Sequence, residues 1–531
     1  MPAERIDPKT VEPRITSTPA GDPPAAASTG PRHDALGRAV GSGFSWLSLS
    51  FLVGKAFSFL AQIVLGILLL DEEFGVFAIA TSVATFAKVF HDGGIAQLLI
   101  QRGPAKFEEL GGPGFWMGMV FSVLAATALA AAAPAAAAVY GDPELAVLLW
   151  IIAFSLPLAA PAQVQRAKLR MDLKFRSLAL ITASSYFVRH LGSIALAYQG
   201  FGARSFVLPL LAVALFEDTA LTIATRARLW RKRPNLAAWP SLLESSAWVI
   251  AISVFSGFVL YGDYLVLGLL LERGTLGQYF FGCQLTMQVA ALMSVNLQYV
   301  MLPVLSRMAD DRSRQAAALV RTFRVLMLVM APLSMALAVG IEPLESLIWK
   351  GKWSAVVPLM QILSFAAPVR LFTIILHATL MSQGQFRTTA FLTMLEGITF
   401  TTAAALGYTV GGSNLTVIGL TVAAAQIVYC IGLSVVLMRR WGVWASTFFR
   451  AFAPGWGLAM AAAGATIAIS RAFFAELPPA VELALSVTLF YAAFVAAMRL
   501  LCASHFSELF AVAPKRLANT LRRLLLFGAN S

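Results

Sequence analysis

Charged side chains are scarce in this sequence, since Asp, Glu, Lys and Arg together make up only 13% of its 531 residues. A soluble globular protein carries about 25% of such residues, which it needs for a solvated surface. Apolar residues make up 58% of the chain and the mean hydropathy is +0.75, a surplus that a globule cannot bury. The composition therefore excludes a soluble domain and predicts a protein with many membrane-spanning helices.

Cysteine and histidine are rare as well, and their positions exclude several kinds of site. The three cysteines, Cys283, Cys430 and Cys502, stand far apart, so neither a disulfide framework nor a metal-ligand spacing follows from them. None of the five histidines belongs to an H-E-x-x-H pair, and no Walker or dinucleotide-binding motif occurs. We therefore expect no catalytic metal, no cofactor and no direct use of ATP.

Long apolar runs dominate the rest of the sequence. Breaks at charged or Gly/Pro-rich positions divide it into fourteen segments, each near the roughly 20 residues that cross a bilayer as a helix. The boundary inside 113–165 is the least distinct, because AAAPAAAAVYGDPE is only mildly apolar. We predict an all-α polytopic membrane protein with helices at 44–70, 74–100, 113–139, 144–165, 177–198, 205–226, 242–270, 275–304, 318–341, 354–381, 388–409, 413–438, 449–470 and 478–501.

The charge of the connections predicts how the chain crosses the membrane. Every second connection is basic, as in RAKLRMDLKFR at 166–176, whereas the alternate connections, such as LDEEF and YGDPE, are acidic or nearly uncharged. Basic connections stay in the cytoplasm, so both termini are predicted to lie there. The Pro-, Ala- and Ser-rich residues 1–37 lack a signal-peptide pattern and are predicted to form a disordered cytoplasmic tail. Residues 502–531 are predicted to form a basic amphipathic tail on the inner leaflet.

One sequence pattern occurs twice. VLGILLLDEEFGVF at 64–77 and VLGLLLERGTLGQY at 266–279 share several apolar residues and two glycines. The copies end helices 1 and 7, six helices apart and on the same side of the membrane. This indicates a parallel repeat of two six-helix lobes around a central cavity, with chance similarity between leucine-rich helix ends as the alternative. The predicted units are an N-lobe at 38–226, a C-lobe at 242–438, and two further helices at 449–501.

Several stretches resemble a single protein family. They are EEFGVFAIATSVATFAKVFHDGGIAQLLIQR at 72–102, AKLRMDLKFRSLALI at 167–181, YGDYLVLGLLLERGTLGQY at 261–279 and LPVLSRM at 302–308. They resemble the Wzx-type flippases of the multidrug/oligosaccharidyl-lipid/polysaccharide flippase superfamily. The resemblance implies an undecaprenyl-pyrophosphate-linked oligosaccharide as substrate, moved across the bacterial inner membrane for surface polysaccharide, lipopolysaccharide or exopolysaccharide synthesis. It also implies acidic positions in helices 2 and 7, which Asp92 and Asp263 match.

Ionisable residues inside the predicted helices form the candidate site. Each costs roughly 3 kcal/mol to insert into a bilayer and usually faces a cavity. The net charge of +13 therefore indicates a cationic cavity and basic loops, and no nucleic-acid partner is expected. Cations from both lobes are expected to hold the diphosphate, which suits Arg in particular: Lys55, Lys88, Arg189, Arg324 and Arg370. Asp92 and Asp263 are candidates for ion coupling, and sugar contacts are expected from polar residues of helix 8: Gln284, Gln288, Asn296, Gln298 and Tyr299.

Internal pairing is the alternative interpretation of these charges. Lys88 and Asp92 are four residues apart and could neutralise each other on one helix face. Arg189 could likewise pair with Glu217 or Asp218 inside the N-lobe. The cations of helices 1 and 10 have no carboxylate nearby in the sequence, which favours a substrate-binding role for them.

The sequence favours a flippase over two alternatives. An ion-coupled multidrug or cation antiporter of the same superfamily would lack the two extra helices and the cationic excess. A membrane enzyme such as a glycan polymerase would carry a long outer loop with catalytic charges, whereas the longest predicted outer loop, IEPLESLIWKGKW, is short. No enzymatic activity is expected. The expected partners are the lipid-linked glycan and the bilayer, with the polymerase and glycosyltransferases of the same pathway as further candidates.

Overall fold

In the computed structural model the chain is described at residues 31–92, 99–100, 103–227, 229–231, 239, 247–288, 308 and 311–512, and this part forms helices joined by short turns, without strands. The prediction of an all-α protein with about fourteen helices is confirmed. The helices are α1 (Pro31–Leu68), α2 (Asp71–Asp92), α3 (Pro104–Tyr140), α4 (Pro143–Met171), α5 (Phe175–Tyr198), α6 (Leu208–Thr225), α7 (Ala247–Leu270), α8 (273–288), α9 (Arg312–Ile348), α10 (Val357–Ser382), α11 (Phe386–Gly411), α12 (Leu415–Arg440), α13 (Ala445–Ile469) and α14 (Pro479–Val512).

Most of these helices are suited to a membrane. In the described part of the chain, eleven are long and apolar enough to cross one. Several ends lie outside the predicted bounds: α1 begins at Pro31, inside the predicted tail, α3 begins at Pro104, α4 ends at Met171, α9 is longer at both ends, and α14 continues to Val512. A kink at Cys502 nevertheless interrupts α14 at the predicted start of the C-terminal tail. Residues 1–30 and 513–531 of the two predicted tails lie outside the described residues.

The boundary between α3 and α4 follows from three consecutive residues. Gly141 adopts the left-handed conformation (φ 65°) and its N–H donates to the carbonyl of Ala137, which closes α3. The side chain of Asp142 accepts a hydrogen bond from the N–H of Glu144 at 2.9 Å, and Pro143 occupies the first turn of α4. Local capping therefore ends one helix and begins the next where hydropathy alone is weak.

The helices pack as two lobes with the same internal arrangement. In the N-lobe (α1–α6) α1 packs on α5, α3 on α4, and α6 on both α4 and α5. In the C-lobe (α7–α12) the same pairs occur six helices later: α7 with α11, α9 with α10, and α12 with both α10 and α11. Helices α13 and α14 pack on α9, at the outside of the C-lobe. The predicted parallel repeat is therefore present in the packing.

The lobes meet at the end of the bundle that contains the α1–α2 and α7–α8 turns, which we call the sealed end. Two hydrogen bonds cross between the lobes there in corresponding positions. Tyr140 Oη donates to the carbonyl of Leu265, and Trp349 Nε1 donates to the carbonyl of Ile63, both at 3.1 Å. The acceptors Ile63 and Leu265 are 202 positions apart, the spacing of the sequence repeat. The two contacts are thus related by the pseudo-symmetry of the lobes.

The repeated glycines lie in this seam. A Cβ atom on Gly75 would collide with the carbonyl oxygen of Arg273, and one on Gly277 would collide with that of Asp71. Asp71 and Arg273 are themselves equivalent positions of the repeat, so the two turns contact each other reciprocally through backbone. The sequence repeat therefore encodes a self-complementary contact between the lobes, in which glycine is needed for the close approach.

A loop of the C-lobe completes the seal by capping α1. Lys352 Nζ donates to the carbonyl of Gly66 at 3.0 Å, and Trp353 Nε1 donates to the same oxygen at 3.0 Å. The last carbonyls of a helix have no partner within the helix, so donors from the other lobe stabilise this end. Partial burial lowers the pKa of Lys352 from its usual value. The carboxylates of Asp71 and Glu73 act in the opposite direction and raise this pKa.

Candidate functional site

The first wall of the site belongs to the N-lobe. Lys55 on α1 and Arg189 on α5 are close enough for their charges to interact, and both interact with His190. The two helices can approach closely at this level because residue 54 is a glycine. A Cβ atom at Gly54 would collide with the ring of Tyr186. We call Lys55 and Arg189, the two cations of this group, the cationic wall. Within the described part of the chain, no carboxylate stands among the charges that act on Lys55 or Arg189.

The cationic wall faces the cleft between the lobes. At 1.5 Å per residue, Arg189 lies about 14 Å from the sealed end of α5, which is near the middle of a bilayer. Its side chain is exposed at this depth, and its electrostatic neighbours are Tyr186 of its own helix and Tyr261 of α7, in the other lobe. Since an exposed cation at this depth usually lines a polar cavity, we assign Arg189 to the cleft.

The expected partners of Arg189 within the N-lobe are engaged elsewhere. Glu217 on α6 forms an ion pair with Arg166 on α4. Asp218 accepts a hydrogen bond from Gln165 Nε2 at 3.3 Å. The interpretation that Arg189 pairs with Glu217 or Asp218 is therefore wrong, because the α4–α6 contact takes up both carboxylates.

The second part of the site is a cavity of about 380 Å³ inside the C-lobe, which we call the C-lobe pocket. It is enclosed by α7, α8, α10, α11 and α12, and it contains Asp263, Arg370 and Glu396. Tyr261, the neighbour of Arg189, also lines it. The C-lobe pocket therefore adjoins the cleft opposite the cationic wall.

Arg370 has carboxylates beside it, although none is near it in the sequence. Both Asp263 and Glu396 interact electrostatically with its guanidinium. Arg370 Nη2 donates to the carbonyl of Val259 at 3.1 Å, and the guanidinium lies 5.6 Å from the centre of the Phe400 ring. Arg370 is therefore held among C-lobe groups, and the structure separates it from Lys55 and Arg189.

Each carboxylate of the C-lobe pocket has a hydroxyl donor. Tyr279 Oη donates to Asp263 Oδ2 at 2.9 Å, and Thr373 Oγ1 donates to Glu396 Oε1 at 3.1 Å. His377 Nε2 is 4.0 Å from Glu396 Oε2, which is too long for a hydrogen bond. Asp263 is thus placed on the wall of a cavity, with a neutral partner and a nearby guanidinium.

The remaining predicted residues do not join these two groups. Lys88 and Arg324 lie about 26 Å and 36 Å from the sealed ends of α2 and α9, so they belong to the opposite half of the bundle. Gln284 lines the C-lobe pocket. Asp92 ends α2, but its side chain lies outside the described residues, as do Asn296, Gln298 and Tyr299. The five predicted cations therefore form separate groups rather than one cluster.

Some residues of the site carried no signal in the sequence. Tyr261, Tyr279 and Gln426 look like ordinary residues of apolar helices, and only their shared cavity reveals them. Among the residues whose positions are described, no group of three or more His, Cys, Asp or Glu side chains could hold a metal ion.

Two six-helix lobes with a polar cleft between them form the architecture of alternating-access transporters, and this class is what the fold and the site define. The family of polysaccharide biosynthesis proteins matches residues 64–358, more than half of the chain, and the protein belongs to this family. The succinoglycan biosynthesis transport protein ExoT of Rhizobium meliloti (strain 1021) is 24% identical over 331 residues, which are 60% of this chain and 65% of ExoT. The lipopolysaccharide biosynthesis protein WzxC of Escherichia coli (strain K12) is 21% identical over 335 residues, 62% of this chain and 67% of WzxC. The match thus spans less than two thirds of the length of ExoT.

Solved structures agree with the fold. The lipid II flippase MurJ, in an inward closed conformation, has a TM-score of 0.67 at 11% identity, covering 85% of this chain and 98% of MurJ. An inward-facing multidrug resistance transporter of the MATE family, in the MOP superfamily, has a TM-score of 0.60 at 11% identity, covering 75% of this chain and 96% of its own. The expected superfamily fold is therefore confirmed.

Proposed function

We propose that this protein is a flippase that moves undecaprenyl-pyrophosphate-linked oligosaccharide repeat units across the bacterial inner membrane, for the synthesis of a surface polysaccharide or exopolysaccharide. Membership of the polysaccharide biosynthesis family supports the pathway. The two-lobed fold around a cleft supports transport rather than catalysis. The names of the relatives support the same pathway, since ExoT is a succinoglycan biosynthesis transport protein and WzxC a lipopolysaccharide biosynthesis protein.

One observation carries the proposal, which is the cationic wall. Lys55 and Arg189 lie together near mid-membrane, and among the described residues the charges that act on them come from each other and from tyrosines, not from a carboxylate. Two neighbouring cations repel each other and are costly in a membrane, so a pair of this kind is stabilised by an anionic ligand. A diphosphate supplies that charge, and Arg and Lys donate hydrogen bonds to its oxygens.

The mechanism that we propose is rocking of the N-lobe against the C-lobe. The basic connections place the end opposite the sealed end in the cytoplasm, so the head group enters the cleft from there while the polyprenyl tail stays in lipid. The seam at Gly75 and Gly277 then opens and releases the glycan on the outer face. The termini are cytoplasmic in this arrangement.

The function is tested with a deletion strain. We expect undecaprenyl-diphosphate-linked repeat units to accumulate on the cytoplasmic leaflet and surface polysaccharide to be lost, with both defects rescued by the wild-type gene. The leaflet is assigned by whether an impermeant glycan-binding lectin reaches the lipid in intact spheroplasts. Normal surface polysaccharide together with altered sensitivity to cationic drugs would instead identify an antiporter, and repeat units that reach the outer leaflet but stay unpolymerised would identify a polymerase.

Asp263 is our proposed site of ion coupling. Its carboxylate lines the C-lobe pocket between the hydroxyl of Tyr279 and the charge of Arg370, so a bound ion would change its partners. We expect Asp263→Asn to abolish the response of transport to an imposed proton or sodium gradient while undecaprenyl diphosphate still binds. The control is Asp311→Asn, at an exposed helix start, which should leave the gradient response unchanged. If transport by Asp263→Asn still responds to both gradients as the wild type does, Asp263 is not the coupling residue.

A further inference from the structure

The C-lobe pocket contains polar groups that the protein itself leaves without partners. Gln426 on α12 lines this pocket, is only 4% exposed, and has an amide oxygen without a hydrogen bond. Nε2 of His377, on the α10 side of the same cavity, is also buried and unpaired. Buried polar atoms in folded proteins are nearly always paired, so two exceptions on one cavity indicate a polar ligand. The terminal torsion of Gln426 is soft, which allows its amide to turn towards such a ligand.

The charged groups of the pocket are already matched to one another. Asp263 and Glu396 each accept a hydroxyl hydrogen bond, from Tyr279 and Thr373, and both act on the guanidinium of Arg370. The groups left over, Gln426 and His377, are neutral donors and acceptors. Gln426 and His377 therefore suit a neutral polar molecule, bound in the same pocket as the proposed coupling carboxylate, Asp263.

The size and walls of the pocket suit a sugar ring. A volume of about 380 Å³ falls in the lower part of the range, roughly 300–1,000 Å³, of pockets that take small molecules. Two tyrosines, Tyr261 and Tyr264, line the pocket together with the amides of Gln284 and Gln426. A pyranose presents apolar C–H faces to such rings, and hydroxyls that both donate and accept to such amides.

The position of the pocket fits the head group of the proposed substrate. Tyr261 lines the pocket and is also an electrostatic neighbour of Arg189 in the cationic wall. A diphosphate held at Lys55 and Arg189 would thus leave its glycan next to the mouth of the pocket.

We propose that the C-lobe pocket binds one neutral sugar ring of the lipid-linked glycan, with Gln426 and His377 hydrogen-bonding its hydroxyls and Tyr261 packing against its face. This inference rests on the proposed flippase function and adds a glycan subsite separate from the diphosphate site. The two lobes then hold different parts of one substrate, which links substrate binding to their relative position.

The test measures two ligands on the full-length protein in lipid nanodiscs. The first is the oligosaccharide released by mild acid from the lipid-linked repeat unit of the host strain, and the second is undecaprenyl diphosphate without a glycan. Gln426→Leu keeps the approximate size of the side chain and removes its amide. We expect it to weaken oligosaccharide binding by about tenfold and to leave undecaprenyl diphosphate binding unchanged.

Ser364→Ala is the matched control. Ser364 is fully buried on α10 and its hydroxyl is also unpaired, but it does not line the pocket. We expect this variant to bind both ligands as the wild type does. Because Gln426→Leu removes an unpaired buried amide, it should also unfold at no lower temperature than the wild type, so lost binding will not reflect misfolding.

Three results would overturn the proposal. The first is wild-type protein that binds undecaprenyl diphosphate but no free oligosaccharide, which removes the subsite and leaves the flippase function standing. The second is a Gln426→Leu variant with unchanged oligosaccharide affinity. The third is loss of sodium-induced stabilisation in that variant with sugar binding retained, which would assign Gln426 to the coupling-ion site instead of a sugar subsite. Failure of the wild type to bind either ligand would instead contradict the flippase function itself.

Discussion

The double variant Lys55→Gln, Arg189→Gln should transport less than about one hundredth as much lipid-linked glycan as the wild-type protein. In the proposed site each cation donates hydrogen bonds to the diphosphate, and a hydrogen bond to a charged group contributes about 1.5–3 kcal/mol. Losing two such contacts weakens binding of the head group by a factor of about 100 or more. Removing both charges also leaves the diphosphate without compensation in the membrane.

The measurement is flipping in proteoliposomes, together with binding of undecaprenyl diphosphate to the detergent-solubilised protein. The control is a second double variant, which removes the charges of Arg439 and Arg440. Both of these arginines are exposed at the end of α12. Because the two cations of the wall repel each other, the double variant should be at least as stable as the wild type. Transport above a tenth of the wild-type rate by a folded double variant would show that the diphosphate is held elsewhere.

Gly75→Val and Gly277→Val should each block transport by preventing closure of the sealed end. A side chain at either position meets the backbone carbonyl of the opposite turn, which cannot move aside as a side chain can. Overpacking of this kind costs about 1–3 kcal/mol or more, which shifts the balance of conformations by a factor of about 5–150. Both variants should therefore accumulate in a conformation with the sealed end open.

Opening of the seam is measured with a cysteine at Ile79, which is 1% exposed and lies against Gly268. In a background without the native cysteines, an impermeant maleimide should label this position faster in both glycine variants. Gly457→Val and Gly464→Val are matched controls on α13, because a Cβ atom at either glycine has no neighbour within 4 Å. If the controls lose transport as fully as Gly75→Val and Gly277→Val, the effect is not due to the seam.

The repeat at 64–77 and 266–279 shows how far sequence reasoning reached into the fold. The matched glycines predicted two parallel lobes, and the packing of α1–α6 and α7–α12 confirms them. What each glycine does could not be predicted, because Gly75 contacts Arg273 and Gly277 contacts Asp71 across the molecule. In the structure, the two equivalent helix ends that the sequence indicated form a single contact that both copies build together.

The candidate site was also predicted only in part from the sequence. Lys55 and Arg189 were found because a charge inside an apolar helix is costly wherever the helix lies. Their grouping depends on α1 packing against α5, more than a hundred residues away in sequence. Arg370 was placed with them by its charge, whereas the structure sets it beside Asp263 and Glu396.

The sequence by itself determined the number of helices, their approximate bounds, the six-helix period and the intramembrane charges. Hydropathy and the insertion cost of a charge are properties of a short segment, so they can be read without its neighbours. Only the tertiary structure decided that Glu217 belongs to Arg166, that Asp263 meets Tyr279, and that Gln426 lines a cavity. Those contacts join helices far apart in sequence, and side-chain chemistry alone allows several partners for each charge.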